Sequence, residues 1–249
     1  MKNKILKKIS GLFGYKLISK NHLKNNRTLS YNSLLNINNL LKEIFESKKL
    51  SQIIQIGAND GSSFDELNYF IKKYKIKSLL IEPIKENFKK LKENYKNLDF
   101  ITLENSAISI DNELTHLYRV SPLHEKKYGS HIPAIPSFNK EHLINHGVKN
   151  KHIVQEEINS ITIKDVIKKH NIENVDLLFI DAEGYDGKIV NDFLINLKIR
   201  PIIIFEFIHI ENNFFKELIN ELKNKNYLFF PINENIYCYP KEKGNFRIY

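Results

Sequence analysis

The segment 51–83 restricts the fold of this chain more than any other stretch of the sequence. It begins with a short run rich in β-branched residues, which stops at a glycine turn at 57–61. Apolar residues then recur at helical spacing, and a second apolar run, 78–81, ends at Glu82 and Pro83. The pattern predicts a strand, a turn, a helix and a second strand, which is the β-α-β unit of parallel sheets.

The glycine turn and Glu82 together predict a nucleoside site. Gly57 and Gly61 supply a turn geometry that a Cβ would obstruct, so the backbone can approach a ligand at the carboxyl end of the first strand. Glu82 lies at the tip of the neighbouring strand, where its carboxylate can accept hydrogen bonds from both hydroxyls of a ribose. The residues of this unit that we predict to contact a cofactor are Gly57, Ala58, Asn59, Asp60, Gly61, Glu82 and Pro83.

The same turn argues against a dinucleotide. The glycine pattern that seats a pyrophosphate has a glycine where this chain has Asn59, and Asp60 adds a negative charge where the phosphates would lie. An acidic turn suits a ligand with ammonium and sulfonium charges, so S-adenosylmethionine is the favoured cofactor and S-adenosylhomocysteine its product. The alternative is an ordinary strand–turn–helix, because glycine turns alone are a weak signal.

Length and composition fit one large α/β domain with an N-terminal extension. The 249 residues are 42% hydrophobic, and no apolar run approaches the roughly 20 residues of a membrane span. We assign residues 34–249 to the domain, with an insertion at about 111–160, and residues 1–33 to the extension. The single cysteine, Cys238, excludes an intrachain disulfide and a cysteine zinc cluster and fits a reducing interior.

The extension is basic, and its apolar residues recur at approximately helical intervals. It lacks the uninterrupted apolar centre of a secretory signal, so we expect the protein in the cytoplasm. Two roles stay open for the extension. It packs on the domain or on a second subunit of a homo-oligomer, or residues 1–20 contact a membrane surface.

The net charge of +9 also has two interpretations. Scattered lysines usually form a solvated surface, and the excess of Lys, Asn and Ile in this chain is typical of A/T-rich codons. Alternatively, the positive field attracts an anionic substrate such as a nucleotide-linked sugar, a nucleic acid or an acidic lipid.

Three further apolar strands are predicted at 100–103, 175–180 and 201–205, and a hairpin is predicted over 227–239. Five βα units that finish in an antiparallel hairpin are typical of class I methyltransferases. We therefore predict an α/β, Rossmann-like fold, with a mostly parallel seven-stranded sheet, helices on both faces and a C-terminal antiparallel hairpin.

Polar residues that follow these strands are candidates for the site, because ligands bind at the carboxyl edge of such a sheet. Those after 100–103 either contact an adenine ring or simply form a turn. Those after 175–180 line a cleft or meet cations, the alternative being acids that compensate a helix dipole. Those after 201–205 end a strand that faces the same cleft. The candidates are Asn105, Ser106, Ala107, Asp181, Glu183, Tyr185, Glu206 and His209.

The segment 111–160 lacks clear periodicity. An insertion of this size between sheet elements is usually a lid or a substrate-binding loop. It contains several histidines, including His142 and His146, but none of their spacings suggests a compact zinc site. We therefore predict ordinary loop histidines and assign no metal ligands.

The sequence resembles the FkbM-type S-adenosylmethionine-dependent methyltransferases. The resemblance covers about residues 52–239 and rests on the ordered set Ile56-Gly57-Ala58-Asn59-Asp60-Gly61, Ile81-Glu82-Pro83, Asn105-Ser106-Ala107-Ile108, Ile161-Thr162-Ile163-Lys164-Asp165 and Ile180-Asp181-Ala182-Glu183-Gly184. It implies O-methylation, most often of a sugar hydroxyl in surface polysaccharides, lipopolysaccharides or natural products. The chain departs from the family at Phe179, where a lysine is common, so any catalytic role of that lysine has no carrier here.

A sugar hydroxyl is a poor nucleophile at neutral pH, so a base or a divalent cation must assist it. Our hypothesis is that His209 or Asp181 accepts its proton, while the substrate contacts Glu183, Tyr185, Glu206 and His209. Asp181, Glu183 and Glu206 are also compatible with a Mg²⁺ or Mn²⁺ site, which their spacing does not require.

Other function classes stay open. They are a methyltransferase of nucleic acids or other small molecules, a non-catalytic nucleotide-binding protein, and an NAD-dependent oxidoreductase. A nucleic-acid methyltransferase is expected to carry a basic domain or an Asn/Asp-Pro-Pro-Tyr/Phe motif. The sequence has neither, so we expect a sugar or nucleotide-sugar substrate and no nucleic-acid partner.

Overall fold

A computed structural model of the chain describes residues 36–63, 65–111, 113, 115–129, 132 and 135–241. The predicted extension, 1–33, lies outside these residues. In chain order the strands are β1 (Gln52–Ile56), β2 (Lys77–Ile81), β3 (Ile101–Glu104), β4 (Ala107–Ser109), β5 (His116–Val120), β6 (Ile153–Glu157), β7 (Ser160–Thr162), β8 (Leu177–Ile180), β9 (Ile202–Glu206), β10 (Tyr227–Ile232) and β11 (Asn235–Pro240). The α-helices are α1 (Ile37–Ser47), α2 (Asn68–Tyr74), α3 (Lys85–Asn94), α4 (Lys140–Asn145), α5 (Ile163–Lys169), α6 (Asp186–Asn196) and α7 (Asn212–Asn224).

The central sheet has seven strands in the order β10-β11-β9-β8-β1-β2-β3. Strands β1, β2, β3, β8 and β9 are parallel, and β11 runs antiparallel to both β9 and β10. This arrangement confirms the predicted mostly parallel sheet with its C-terminal hairpin. The hairpin places β11 between β9 and β10, so the strand order differs from the chain order at this end.

Side chains of the sheet alternate between two cores, because successive residues of a strand point to opposite faces. Ile53 and Leu177 belong to the core that α1, α2 and α3 cover. Their neighbours Ile54 and Leu178 belong to the core on the other face, under α5, α6 and α7. The sheet is therefore the middle of three layers, with helices on both faces as predicted.

The strand order reverses at β1. The chain continues from β1 to β2 on one side, whereas the strand on its other side, β8, comes much later in the sequence. The backbone N–H of Asp181 donates to the carbonyl of Ile56 at 3.0 Å, so the two strand ends meet there. Crevices at such reversal points are where open α/β sheets bind ligands.

The predicted insertion has regular structure that its sequence did not indicate. It leaves and re-enters between β4 and β7, which pair in parallel. Inside it, β5 and β6 form an antiparallel pair, and α4 packs with them around a small core of Val120, Ile132, Leu143 and Val148.

A buried arginine attaches the insertion to the rest of the domain. Arg119 on β5 is 8% exposed, and its guanidinium contacts Glu156 at 2.8 Å and both Glu86 and Glu125 at 3.1 Å. Glu86 belongs to α3, so this cluster joins the hairpin of the insertion to a helix of the central layers.

In the described part of the chain, no helix is both long and apolar enough to span a bilayer.

Candidate active site

A cavity of about 380 Å³ lies at the carboxyl edge of the sheet, beside the end of β1. Small-molecule sites typically have volumes of roughly 300–1,000 Å³. The insertion closes one side of the cavity with Leu117, Ile135, Pro136, Phe138 and His146. Of the residues that we predicted for the site, those that line it are Gly57, Asn59, Glu82, Pro83, Ser106, Ala107, Asp181, Glu183, Glu206 and His209.

Glu82 holds the glycine turn to the end of β2. One carboxylate oxygen accepts the backbone N–H of Asn59 at 3.0 Å, and the other accepts that of Ile84 at 2.8 Å. The residue is 4% exposed, and this burial raises the pKa of Glu82 to about 7. The side chain of Asn87, which also lines the cavity, hydrogen-bonds to the same carboxylate. The two oxygens together have about four lone pairs, so the carboxylate keeps capacity to accept one hydrogen bond from a ligand in the cavity.

The two glycines of the turn have positive φ, 82° at Gly57 and 71° at Gly61. A Cβ on Gly57 would overlap the backbone carbonyl of Asp181, and one on Gly61 would overlap the side chains of Leu91 and Tyr95. Both glycines therefore let segments of the protein approach one another. We had predicted that they let the backbone approach a ligand. Gly57 does line the cavity, whereas Gly61 does not, so packing within the protein is the reason that the structure gives for Gly61 and a second reason for Gly57.

Ala58, Asp60, Gly61 and Asn105 do not line the cavity. The carboxylate of Asp60 accepts the backbone N–H groups of Ser62 at 2.9 Å and Ser63 at 2.7 Å. It therefore stabilises the turn itself and does not face a charged ligand, which corrects our interpretation of the acidic turn.

Asn105 supports the cavity wall from behind. Its side-chain amide donates to the backbone carbonyls of Glu82 at 2.8 Å and Pro83 at 3.1 Å. The adjacent residues Ser106 and Ala107 line the cavity. Asn105 thus fixes the end of β2 against the loop that follows β3.

The opposite end of the cavity is rich in carboxylates. Burial raises the pKa of Asp181 to about 7, with Asp186 adding repulsion. Burial followed by repulsion from Asp181 raises the pKa of Glu183 to about 10 and that of Glu206 to about 8. Among the described residues, no lysine or arginine forms an ion pair with Asp181, Glu183 or Glu206.

The fully buried Asp186 shapes the loop that presents these carboxylates. It begins α6, and its oxygens accept the backbone N–H groups of Ala182 and Gly184, both at 3.2 Å. Glu183 has a φ of 47°, a left-handed conformation that side chains rarely adopt, and its carbonyl accepts the hydroxyl of Ser137 at 2.8 Å. The loop is therefore fixed from α6 and from the insertion.

Three histidines meet beside the carboxylates. His142 and His146 lie one turn apart at α4. The ring centroid of His142 lies 4.5 Å from that of His146 and 4.4 Å from that of His209. Burial, followed by repulsion from His209, lowers the pKa of His142 to about 4, and burial also lowers the pKa of His209. All these interactions place α4 against the end of β9.

Sequence reasoning missed that His142 and His146 lie at a helix and next to His209, because we had interpreted them as loop histidines. Their spacing of four residues was the available signal, because it places two side chains on one face of a helix. Asn139, whose side chain caps α4 by accepting the N–H of Glu141 at 3.0 Å, was a second signal.

Tyr185 and Phe179 lie in the core. Tyr185 is 7% exposed and packs against Phe138 at 4.9 Å between ring centroids, so it does not line the cavity as we predicted for a substrate contact. Phe179, where the resembling family commonly has a lysine, is 3% exposed and belongs to the core under α1 and α2. No positive charge stands at that position.

Comparisons with known proteins were made by sequence and by structure. A search among curated proteins found no match. Among solved structures, the methyltransferase FkbM from Methylobacillus flagellatus KT is 15% identical with a TM-score of 0.44, covering 76% of this chain and 44% of that chain. Fibrillarin from Aeropyrum pernix, in complex with natively bound S-adenosyl-L-methionine, is 11% identical with a TM-score of 0.43, covering 82% and 73%.

The precorrin-6y C5,15-methyltransferase from Geobacter metallireducens GS-15 is 10% identical with a TM-score of 0.40, covering 87% of this chain and 95% of that chain. The chain thus spans less than half the length of the Methylobacillus protein and most of the Geobacter one. The family model of the methyltransferase FkbM domain matches residues 55–229, which include both ends of the cavity. Because this match spans well over half of the sequence, the chain belongs to the FkbM family of methyltransferases.

Proposed function

We propose that this chain transfers a methyl group from S-adenosylmethionine to a hydroxyl of a sugar or a nucleotide-linked sugar. The observation that carries the proposal is the cavity with two chemically different ends. One end is lined by Glu82 and Asn59, to which we assign the nucleoside, and the other by Asp181 and His209 beside further carboxylates. Several hydrogen-bond acceptors in one place suit an acceptor molecule with several hydroxyl groups.

The residues around Glu82 fit S-adenosylmethionine. The carboxylate retains acceptor capacity for the ribose, and Ser106, Ala107 and Ile108 form a wall of small and apolar groups next to it. When bound, this cofactor supplies a methyl group on a sulfonium, which is already activated. The protein therefore has to align an attacking oxygen and remove its proton.

Asp181 and His209 are the two proton acceptors that we propose for this step. Asp181 lies at the reversal point between β1 and β8, and its pKa of about 7 is better matched to neutral pH than that of an ordinary aspartate. His209 is neutral at this pH because burial lowers its pKa. Either group can take a proton from a hydroxyl, and their pH dependences differ.

Phosphate groups are disfavoured inside the cavity, whether they belong to a nucleic acid or to a nucleotide sugar. Phosphates are bound chiefly by lysine and arginine, and among the described residues none of these lines the cavity. For the same reason, the diphosphate of a nucleotide sugar would lie outside the cavity, with the sugar inside it. A substrate panel therefore needs free oligosaccharides as well as nucleotide sugars.

Cofactor binding is tested by thermal unfolding. S-adenosylhomocysteine at 100 times its dissociation constant should stabilise the protein by about 2.7 kcal/mol, whereas NAD should not. Glu82→Ala removes the acceptor of two backbone N–H groups and of the ribose, so the affinity of the variant for S-adenosylhomocysteine should fall at least tenfold. Glu93→Ala, which changes an exposed glutamate, should bind S-adenosylhomocysteine like wild type. Equal stabilisation by NAD, or undiminished affinity in Glu82→Ala, would contradict the assignment of this end of the cavity.

The substrate is tested by mass spectrometry. The protein is incubated with S-adenosylmethionine and a panel of GDP-sugars, UDP-sugars, free oligosaccharides and short RNAs. We expect a gain of one methyl group on a sugar-containing substrate, located on oxygen by fragmentation. Methylation of the RNA alone would refute the sugar proposal and leave the cofactor assignment intact.

The proton acceptor is tested by pH–rate profiles of Asp181→Asn and His209→Ala. If Asp181 accepts the proton, the wild-type rate should fall as pH drops below about 7, and Asp181→Asn should lose at least about a hundredfold. If His209 accepts it, the rate should persist to a lower pH and His209→Ala should show the loss. A rate within a few-fold of wild type excludes the substituted residue from this role.

A further inference from the structure

The histidines at the polar end of the cavity have the arrangement of a metal centre. One ring nitrogen from each of His142, His146 and His209 lies within 4.8 Å of the other two, and so do ligand atoms of His209, Glu183 and Glu206. We propose that His142, His146 and His209 bind a divalent transition-metal ion, with Glu183 or Glu206 as a further ligand. Our sequence interpretation placed a cation only on carboxylates and assigned no histidine to it.

His146 is held in the tautomer that a metal requires. Its Nδ1 lies 2.9 Å from the backbone carbonyl of His142. A carbonyl can only accept a hydrogen bond, so Nδ1 carries the proton and the lone pair is on Nε2. Metal-binding histidines commonly donate their other N–H to a carbonyl, which fixes the ring towards the ion.

His142 has an unused nitrogen deep in the structure. The residue is 8% exposed, and its Nε2 has no hydrogen-bond partner among the described residues. This Nε2 lies 3.2 Å from an oxygen of Glu183 but does not form a hydrogen bond with it. Two ligands at about 2.0–2.1 Å from a tetrahedral zinc ion are ~3.3 Å apart, so this separation suits two atoms that share an ion.

Glu206 and His209 show a similar pattern. Oε2 of Glu206 is buried without a hydrogen-bond partner in the described part of the chain, and it lies 3.6 Å from Nε2 of His209. A buried acceptor without a partner carries a desolvation cost, and a buried carboxylate carries a larger one. A cation between these groups would coordinate both atoms and favour the ionised form of the carboxylate.

The ligand set selects the class of ion. Imidazole nitrogens suit Zn²⁺ and other late first-row metals, whereas Mg²⁺ and Ca²⁺ prefer oxygen ligands. Three imidazoles with one or two carboxylates therefore favour Zn²⁺, with Fe²⁺, Co²⁺ and Ni²⁺ as alternatives. The geometry does not favour Mg²⁺.

The site has a consequence for the proposed reaction, and this step rests on the proposed function. His209 and His146 both line the cavity, so an ion bound to them would face the acceptor. There it would polarise a substrate hydroxyl and lower its pKa. His209 would then act as a ligand, which leaves Asp181 as the proton acceptor.

The test measures metal binding directly and needs no substrate. Full-length protein, stripped with a chelator and dialysed, is titrated with Zn²⁺ by calorimetry and with Co²⁺ by visible absorption. We expect one ion per chain with affinity reduced at least a hundredfold in His142→Ala and in His146→Ala. His116→Ala, a histidine on β5 outside the cluster, is the matched control and should bind like wild type.

X-ray absorption of the zinc-loaded wild-type protein gives a readout that does not depend on whether a variant folds. It should show about three imidazole ligands. Absence of stoichiometric binding, or equal binding by wild type and folded His142→Ala and His146→Ala, would overturn the proposal. S-adenosylhomocysteine binding, measured in parallel, should be retained in both variants, so that failure of the metal site is distinguished from failure of the cofactor site.

Discussion

Gly57 and Gly147 share a left-handed backbone, with φ of 82° and 84°, but differ in their surroundings. A Cβ on Gly57 would overlap the backbone carbonyl of Asp181, whereas one on Gly147 would meet no atom of the described residues within 4 Å. Backbone atoms of a packed strand end cannot move aside as a flexible side chain can. The close contact between the ends of β1 and β8 therefore depends on the absence of a Cβ at Gly57.

We therefore predict unequal costs for the same substitution. Gly147→Ala should lower the free energy of unfolding by about 1–2 kcal/mol, the cost of a left-handed alanine. Gly57→Ala should lower it by about 1–3 kcal/mol more, because overpacking adds to the same strain. Urea unfolding monitored by circular dichroism measures both. Equal losses would show that the strand ends can separate to accept the Cβ.

The helix α4 is the element whose residues we interpreted most differently from the sequence and from the structure. It has six residues, too few to show a helical period, and histidine and asparagine are weak helix formers. Once it forms, His142 and His146 lie on one face, and the packing of the insertion turns that face towards His209. The position of the whole hairpin therefore matters for the polar end of the cavity.

Arg119 should be the main attachment of that hairpin. Arg119→Ala leaves three carboxylates without their shared cation, so we predict a loss of about 3 kcal/mol and faster proteolysis within 110–159. Lys90→Ala is the control, because Lys90 pairs with the same Glu86 at 3.4 Å but is exposed, and its loss should cost less than about 0.5 kcal/mol. Limited proteolysis and urea unfolding test both variants. Similar results for the two would show that the insertion is held by its apolar contacts.

At the scale of the whole molecule, buried acids should govern stability against pH. Burial raises the pKa of Glu66 and Glu82 to about 7 and that of Asp186 to about 6. Such a group keeps its proton in the folded state at a pH where the unfolded chain has released it. Unfolding then releases protons, so the free energy of unfolding falls as pH rises from about 4.5 to about 7.

Glu82→Gln isolates one part of this dependence. Since the pKa of Glu82 rises from 4.5 to about 7, its share of the decline is at most about 3 kcal/mol, and the variant should show a correspondingly flatter curve. The NH₂ group of the glutamine amide faces one of the two backbone N–H donors and cannot accept from it, so the variant should also have a lower free energy of unfolding at low pH. The readout is therefore the slope of the free energy of unfolding against pH. Glu93→Gln, which alters an exposed carboxylate, should keep the wild-type slope. Parallel curves for wild type and Glu82→Gln would contradict the shift.

The sequence by itself determined the alternation of strands and helices and the edge at which polar residues gather. These properties are local, because β-branched runs, glycine turns and amphipathic spacing act over a few residues, and parallel strands bring their carboxyl ends together. That is why Glu82, Asp181, Glu206 and His209 were found before the structure. In the structure all four line one cavity.

Only the tertiary structure decided which way individual side chains face. Asp60 turns to the backbone of its own loop, Gly57 is required by the carbonyl of Asp181 just after β8, and Tyr185 enters the core. His142 and His146 meet His209 only because a buried arginine and a small apolar core hold the insertion against the sheet. Contacts between segments far apart in the chain leave no periodic trace in the sequence, so packing alone sets them.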